Sequence, residues 1–157
     1  MNYKSPVEER MKFNLSETYA EKLFDKCNTD YFRSGLKYDD KTKSLFMKLP
    51  SIIRKIPDYI VGLKDNKSCI YVEVKTGSTE DFDHCKIKPN DLKGYGFWEK
   101  RLPVQILMCW NQLNKHKFIS LSALNQLIED NDYDIHWYDN DNEYNQSYYK
   151  IPLKDLL

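Results

Sequence analysis

The chain has 157 residues with 24 basic and 24 acidic side chains, so its formal net charge is zero and any surface for a polyanion must be a local patch. Twelve tyrosines, seven phenylalanines and three tryptophans exclude a disordered composition, and the length suits one domain with a real core. Cys27, Cys69, Cys85 and Cys109 are too scattered for a zinc ribbon or an iron–sulfur cluster. Two of them fall in apolar strands and read as buried thiols, a usage that fits a reducing compartment, and with no leader pattern and no long apolar run the expectation is a cytoplasmic protein without a membrane span.

The N-terminus opens on Ser5-Pro6-Val7-Glu8, a capping-box pattern with proline at the first helical position. It predicts a short helix to about Phe13. Asn14-Leu15-Ser16-Glu17 repeats the pattern and predicts a second helix through about Asn28, with Ala20, Leu23, Phe24 and Cys27 as its apolar stripe. Thr29 to Tyr38 reads as a first strand, Asp39 to Lys43 as a charged loop, and Ser44 to Met47 as a short apolar segment. Lys48, Arg54 and Lys55 follow; they read either as a solubilising loop or as contacts to phosphate.

The next stretch organises the chain. Ile56-Pro57-Asp58-Tyr59-Ile60-Val61-Gly62-Leu63 and Ser68-Cys69-Ile70-Tyr71-Val72-Glu73-Val74-Lys75 are short, β-branched and aromatic, and a four-residue polar turn joins them. A turn closing with Leu63 opposite Ser68 sets Asp58 opposite Glu73. Opposed residues share a face, with Cβ atoms about 5 Å apart. Alternation adds Lys75 to that face and sends Ile70, Val72 and Val74 to the other. Two carboxylates at that distance repel by about 3 kcal/mol at an effective dielectric near 20. Lys75 offsets part of this, and a divalent cation with a taste for hard oxygen donors, Mg²⁺ or Mn²⁺, would offset it fully. Taken alone, Glu-x-Lys is also a common solvated strand face.

Beyond Lys75, Thr76 to Asp83 is a polar loop, and His84-Cys85 is too isolated for a metal site and reads as structural. Lys86, Lys88 and Lys93 lead into a helix from about Pro89, with Asn90 and Asp91 near its start and Leu92, Tyr95, Phe97 and Trp98 as apolar bulk. Basic residues interleaved with aromatics are what a nucleic-acid groove uses. Val104 to Trp110 predicts a central strand buried on both faces. Lys117 to Leu121 predicts another strand, followed by a helix from Ser122 to about Glu129. The tail, 130–157, is acidic and tyrosine-rich and reads as a hairpin extension of a core spanning about 14–129, all within one domain, 1–157. Asp139 to Glu143 lacks the glycine and terminal glutamate of a calcium loop and reads as a solvated turn.

Pro57-Asp58, then fourteen residues, then Glu73-Val74-Lys75 resembles the PD-(D/E)xK nuclease superfamily, the fold of many restriction enzymes and archaeal Holliday-junction resolvases. The resemblance covers roughly Glu17 to Leu127. It implies an α/β fold with a restriction-endonuclease-like αβββαβ core, a mixed central sheet flanked by helices. It also implies a metal-dependent endonuclease that hydrolyses DNA phosphodiester bonds. Asp58, Glu73 and the carbonyl of Val74 would hold Mg²⁺ or Mn²⁺, and Lys75 would orient water or meet developing charge. The first core helix of that family often adds a glutamate. Ala20-Glu21-Lys22-Leu23-Phe24 matches its form, so Glu21 is the first choice for a catalytic and metal-binding acid, with Glu17 one turn earlier in reserve. Arg54, Lys55, Lys86, Lys88 and Lys93 are the candidate nucleic-acid contacts. No P-loop is present, so no nucleotide cofactor is expected. No histidine precedes His84, which counts against the viral cap-snatching branch. The compact chain favours structure-directed or partner-directed cutting, as in a junction resolvase or a viral or mobile-element nuclease, and a viral one would act in the host cytoplasm. Cutting both strands would favour a homodimer. An RNA-directed nuclease, or a non-catalytic nucleic-acid-binding or interaction protein on the same fold, are the rival readings.

Overall fold

The computed structural model describes residues 6–65, 67–77, 83–137 and 146–156, with side chains from residue 15 onward. Helix α1 (Pro6–Lys26) leads to strand β1 (Tyr31–Arg33), short helices α2 (Lys43–Lys48) and α3 (Ser51–Arg54), and the hairpin β2 (Tyr59–Gly62) and β3 (Cys69–Thr76). Then follow β4 (His84–Ile87), α4 (Pro89–Glu99), β5 (Val104–Trp110), β6 (Lys115–Ser120), α5 (Leu121–Asn131), β7 (Ile135–Trp137), β8 (Ser147–Pro152) and α6 (Leu153–Leu156).

Two sheets result. A five-stranded mixed sheet runs in the order β1-β2-β3-β5-β6, and a three-stranded one runs β4-β8-β7. All pairs are antiparallel except β3 with β5, which α4 connects. This is the expected α/β architecture, a mixed central sheet with helices against it and the αβββαβ order in α1-β1-β2-β3-α4-β5.

Strand alternation divides the interior. From β5, Val104, Ile106, Met108 and Trp110 enter a core shared with Cys85, Ile87, Tyr95, Leu121, Leu124 and Ile151. Leu107 and Cys109 point the other way, onto Ala20 and Phe24 of α1 with Val72 and Val74. A strand with apolar residues on both faces must lie between two layers, and β5 does. Burial pushes the thiols of Cys85 and Cys109 up to about 12, so both behave as inert apolar groups.

The N-terminal segment departs from the expectation of two helices; it is one. Ser16 does not cap a second helix. It is buried, and its hydroxyl is 2.8 Å from Thr76 Oγ1 at the end of β3. A tertiary partner has taken the oxygen that the local pattern offered to the backbone. The helix stops at a left-handed Asn28 (φ 53°), and the Thr29 amide reaches back 3.0 Å to the Phe24 carbonyl in a Schellman-type closure.

Other boundaries shift as well. The first strand is three residues, and Ser44 to Met47 lies in α2. Strand β4 was not anticipated: its pairing with β8 supplies what its short sequence does not. The late hairpin is β7 and β8. Residues 78–82 of the polar loop and the acidic run 139–143 fall outside the described residues. No described helix is long and apolar enough to cross a membrane.

Gly77 closes the end of β3. Its amide donates to the Cys109 carbonyl at 2.8 Å, and an added Cβ would stand 2.0 Å from the Trp110 indole nitrogen. Because Trp110 is fully buried, the ring cannot yield. Gly77→Ala is therefore expected to cost about 1–3 kcal/mol, measurable as a lower urea midpoint at unchanged slope.

Candidate active site

The hairpin has the predicted register. Tyr59 pairs with Val72, Ile60 with Tyr71 and Gly62 with Cys69, and the Leu63 amide meets the Ser68 carbonyl at 2.9 Å. Extending that ladder by one residue brings Asp58 against Glu73. Asp58 Oδ2 accepts a 2.8 Å hydrogen bond from the Val74 amide. Behind it the amides of Ser34 and Gly35 both donate to the Asp58 carbonyl, at 2.8 and 3.0 Å. Gly35 lies so close that a Cβ there would be 3.1 Å from Asp58 Oδ1. The aspartate is thus pinned from two sides.

Asp58, Glu73, Val74 and Lys75 line one cleft of about 650 Å³. Burial pushes the Asp58 carboxyl well up, and the neighbouring Glu73 charge adds to it; the Val74 amide and Lys75 work in the opposite direction without cancelling them. The two carboxyls thus oppose each other's ionisation.

Lys75 Nζ lies 3.1 Å from Glu73 Oε1 and 3.0 Å from Asp91 Oδ2. Burial works to lower its pKa, but Tyr95, Glu73 and Asp91 outweigh burial and hold the ammonium well above its ordinary value. Glu73 is only 8% exposed, and the Tyr95 hydroxyl donates to its Oε1 at 2.5 Å. Asp91 also pairs with Lys55. Burial alone would raise the Asp91 pKa; Lys75 and Lys55 overcome this and bring it down to about 2.

Asp91 and Tyr95 are functional candidates that the sequence reading passed over. They stand four residues apart on α4, hence on one face, and that face meets the Glu-x-Lys strand. The spacing was the available signal. An acid and a hydroxyl at i and i+4 can address neighbouring polar side chains together.

The two helix glutamates separate. Glu21 is held by Arg33, with contacts of 2.6 and 2.5 Å, and accepts from the Tyr59 hydroxyl at 3.0 Å. It does not line the cleft. Glu17 does, paired with Lys37 and adding to the upward push on Asp58. If the chain cleaves DNA, as the resemblance implies, and α1 supplies an acid, Glu17→Gln should slow that cleavage about tenfold. Glu21→Gln should change it by less than about threefold, while costing about 1 kcal/mol through its lost partners. Cleavage rates beside urea melts check both.

The basic candidates also sort by position. Arg54, Lys55, Lys88 and Lys93 line a second cavity of about 570 Å³, with no acidic residue in its wall. Arg54 and Lys55 line the first cleft too. Lys88 Nζ donates to Gln146 Oε1 at 2.6 Å. Lys86 does not line this groove; it lies over the Tyr148 ring, 4.9 Å from the centroid.

Among the described residues no three His, Cys, Asp or Glu side chains gather closely enough to hold an ion by themselves. The donor set that fits is two hard carboxylates, Asp58 and Glu73, with the remaining positions open to backbone oxygen and water. That set suits Mg²⁺ or Mn²⁺, which keep several waters, better than zinc or calcium.

No family model matches the chain, and no curated protein matches it. Among solved structures it is similar to one titled "Structure of D212, a nuclease from a fusselovirus", with 15% identity over 95% of this chain and 80% of that one, at a TM-score of 0.46. At that distance the fold description rests on the strand order and register given above.

Proposed function

We propose that the chain is a divalent-metal-dependent nuclease that hydrolyses DNA phosphodiester bonds. The observation that carries this reading is the convergence of Asp58, Glu73 and Lys75 in one cleft, two acids in mutual conflict beside a cation held in place. Charge repulsion of that kind is kept where a ligand relieves it.

A bound Mg²⁺ or Mn²⁺ would polarise the phosphate and acidify a water. Asp58 and Glu73 would hold it, with the Val74 carbonyl beside them. The chain's own residues do the rest. The Val74 amide fixes one Asp58 oxygen, and the Tyr95 hydroxyl fixes one Glu73 oxygen, so the second oxygen of each would be the one to meet the cation. Lys75 Nζ presents a charged donor where negative charge gathers on the phosphate. Arg54, Lys55, Lys88 and Lys93 form a lane for the flanking phosphates, which would position a strand without reading its sequence. Glu17 is the α1 acid best placed to assist.

The test is incubation with linear duplex, single-stranded and branched DNA and with RNA, in Mn²⁺ or in EDTA, beside a Lys75→Ala control. Mn²⁺-dependent cleavage of DNA that the control lacks is the expected result. Cleavage of RNA alone would favour the RNA-directed reading. Binding without cleavage would favour a non-catalytic nucleic-acid-binding protein. Structure-directed cutting and a homodimer acting on both strands belong to the same proposal, and the branched substrate addresses the first.

A further inference from the structure

Between the acid cleft and the basic groove runs an unbroken line of alternating charges, Lys55–Asp91–Lys75–Glu73. Asp91 is its midpoint. It is 7% exposed, and it divides its two oxygens, Oδ1 to Lys55 and Oδ2 to Lys75. Lys55 is the member that belongs to both cavities, and its side chain keeps 31% of its surface exposed. Its stem is wedged against α4: a Cβ on Gly94 would sit 2.5 Å from Lys55 Cβ. The stem is held there, while the ammonium beyond it can reach either Asp91 or the groove.

We propose that Asp91 is a positioning residue that couples phosphate binding in the basic groove to the placement of Lys75 in the acid cleft. The inference rests on the nuclease reading and deepens it. A phosphate in the groove competes with Asp91 for the Lys55 ammonium. As Lys55 turns to the phosphate, the Asp91 charge is left to Lys75 alone. A cation on Glu73 weakens the other hold on Lys75 at the same time. Asp91 then becomes the counter-ion that keeps the Lys75 ammonium beside the cleft when a substrate strand lies along the groove. In the absence of a strand, Lys55 draws on the same carboxylate, and Lys75 is shared between Asp91 and Glu73.

This arrangement predicts a split that simple damage to the fold does not produce. In Asp91→Asn, Lys55 no longer has to leave a carboxylate to reach a phosphate, so binding improves. Lys75 loses its remaining counter-ion, so cleavage suffers. The measurement uses the full-length chain and a fluorescein-labelled 24-nucleotide DNA, single-stranded and duplex. Affinity is read by anisotropy in EDTA, and kcat and KM are read in Mn²⁺.

Asp91→Asn should bind the DNA at least about threefold more tightly than wild type and turn over at least about tenfold more slowly. Deleting one carboxylate near DNA could tighten binding by general electrostatics, so the cycle is completed with Lys55→Ala and the double variant. Coupling requires that the tightening disappear when Lys55 is absent. Tightening of the same size in the Lys55→Ala background overturns the proposal, as does an Asp91→Asn turnover within about threefold of wild type. Circular dichroism reports whether the asparagine variant is folded. If it is not, Asp91→Ser, neutral and smaller, is measured in the same way, and failure of both to fold makes Asp91 a structural residue and ends the proposal. A wild-type chain that neither binds DNA in EDTA nor cleaves it in Mn²⁺ removes the nuclease reading itself, whereas an active wild type without the split removes only the coupling.

Discussion

Asp58→Asn is expected to abolish cleavage and, in the same protein, to raise the melting temperature measured in EDTA. The two effects have one cause. Asp58 and Glu73 face each other in a cleft where burial and the second charge both push the Asp58 carboxyl up. In the metal-free protein the cleft disfavours two charged carboxyls together, and folding bears the cost either of that repulsion or of keeping Asp58 protonated, which Lys75 partly relieves. Asparagine removes the charge and keeps a carbonyl oxygen for the Val74 amide, 2.8 Å away in the wild type. Relief of about 1–2 kcal/mol corresponds to a rise of about 3–6 °C for a chain of this size. Mn²⁺ should stabilise the wild type, by about 2.7 kcal/mol at a hundred times its dissociation constant, and should do little for Asp58→Asn. Thermal melts of both proteins in EDTA and in Mn²⁺ give the four numbers. A lower melting temperature for Asp58→Asn in EDTA would mean that the aspartate is a structural anchor and not a strained ligand.

Lys75→Met is expected to lose activity as well, with the opposite effect on stability. Its ammonium is shared between Glu73 and Asp91, and only 17% of the side chain is exposed. Removing it leaves two buried acids without their common cation. Lys55 still serves Asp91, and the Tyr95 hydroxyl still serves Glu73, so the loss is not total. Breaking a buried pair from one side costs about 3 kcal/mol, or a fall of about 9 °C. Loss of one charged donor at the reacting phosphate should lower kcat by about 10²–10³. Lys75→Arg should not restore the wild type, because a planar fork cannot occupy a point-charge position between Glu73, Asp91 and the Tyr95 ring. The pair of variants is informative together: both lose cleavage, while one melts higher and the other lower.

The β2–β3 hairpin was legible because its determinants are local. The polar turn has one natural closure, and period-two alternation then assigns every face, so the approach of residues 58, 73 and 75 follows from counting. The burial of β5 on both sides was legible for the same reason. What escaped depends on partners far along the chain. Ser16 reads as a cap until Thr76 claims its hydroxyl. His84 to Ile87 is too short to announce a strand until residues 149–152 pair with it. Glu17 and Glu21 lie on one helical face, and only the rotation of α1 against the sheet gives Glu21 to Arg33 and Tyr59 and turns Glu17 to the cleft. Asp91 and Tyr95 needed the docking of α4 onto β3, for which the sequence offered only their four-residue spacing. The basic residues were picked out by charge, but their division into a groove and an outlying Lys86 is a tertiary fact.

The proposed chemistry requires Asp58 and Glu73 to act as joint ligands of one cation. Diffraction from a crystal grown with Mn²⁺, recorded at the manganese edge, tests this directly. One anomalous peak within coordination distance of both carboxylates, absent from an Asp58→Asn crystal, is the expected result. A peak bound to other residues, or none between Asp58 and Glu73 at saturating Mn²⁺, would contradict it.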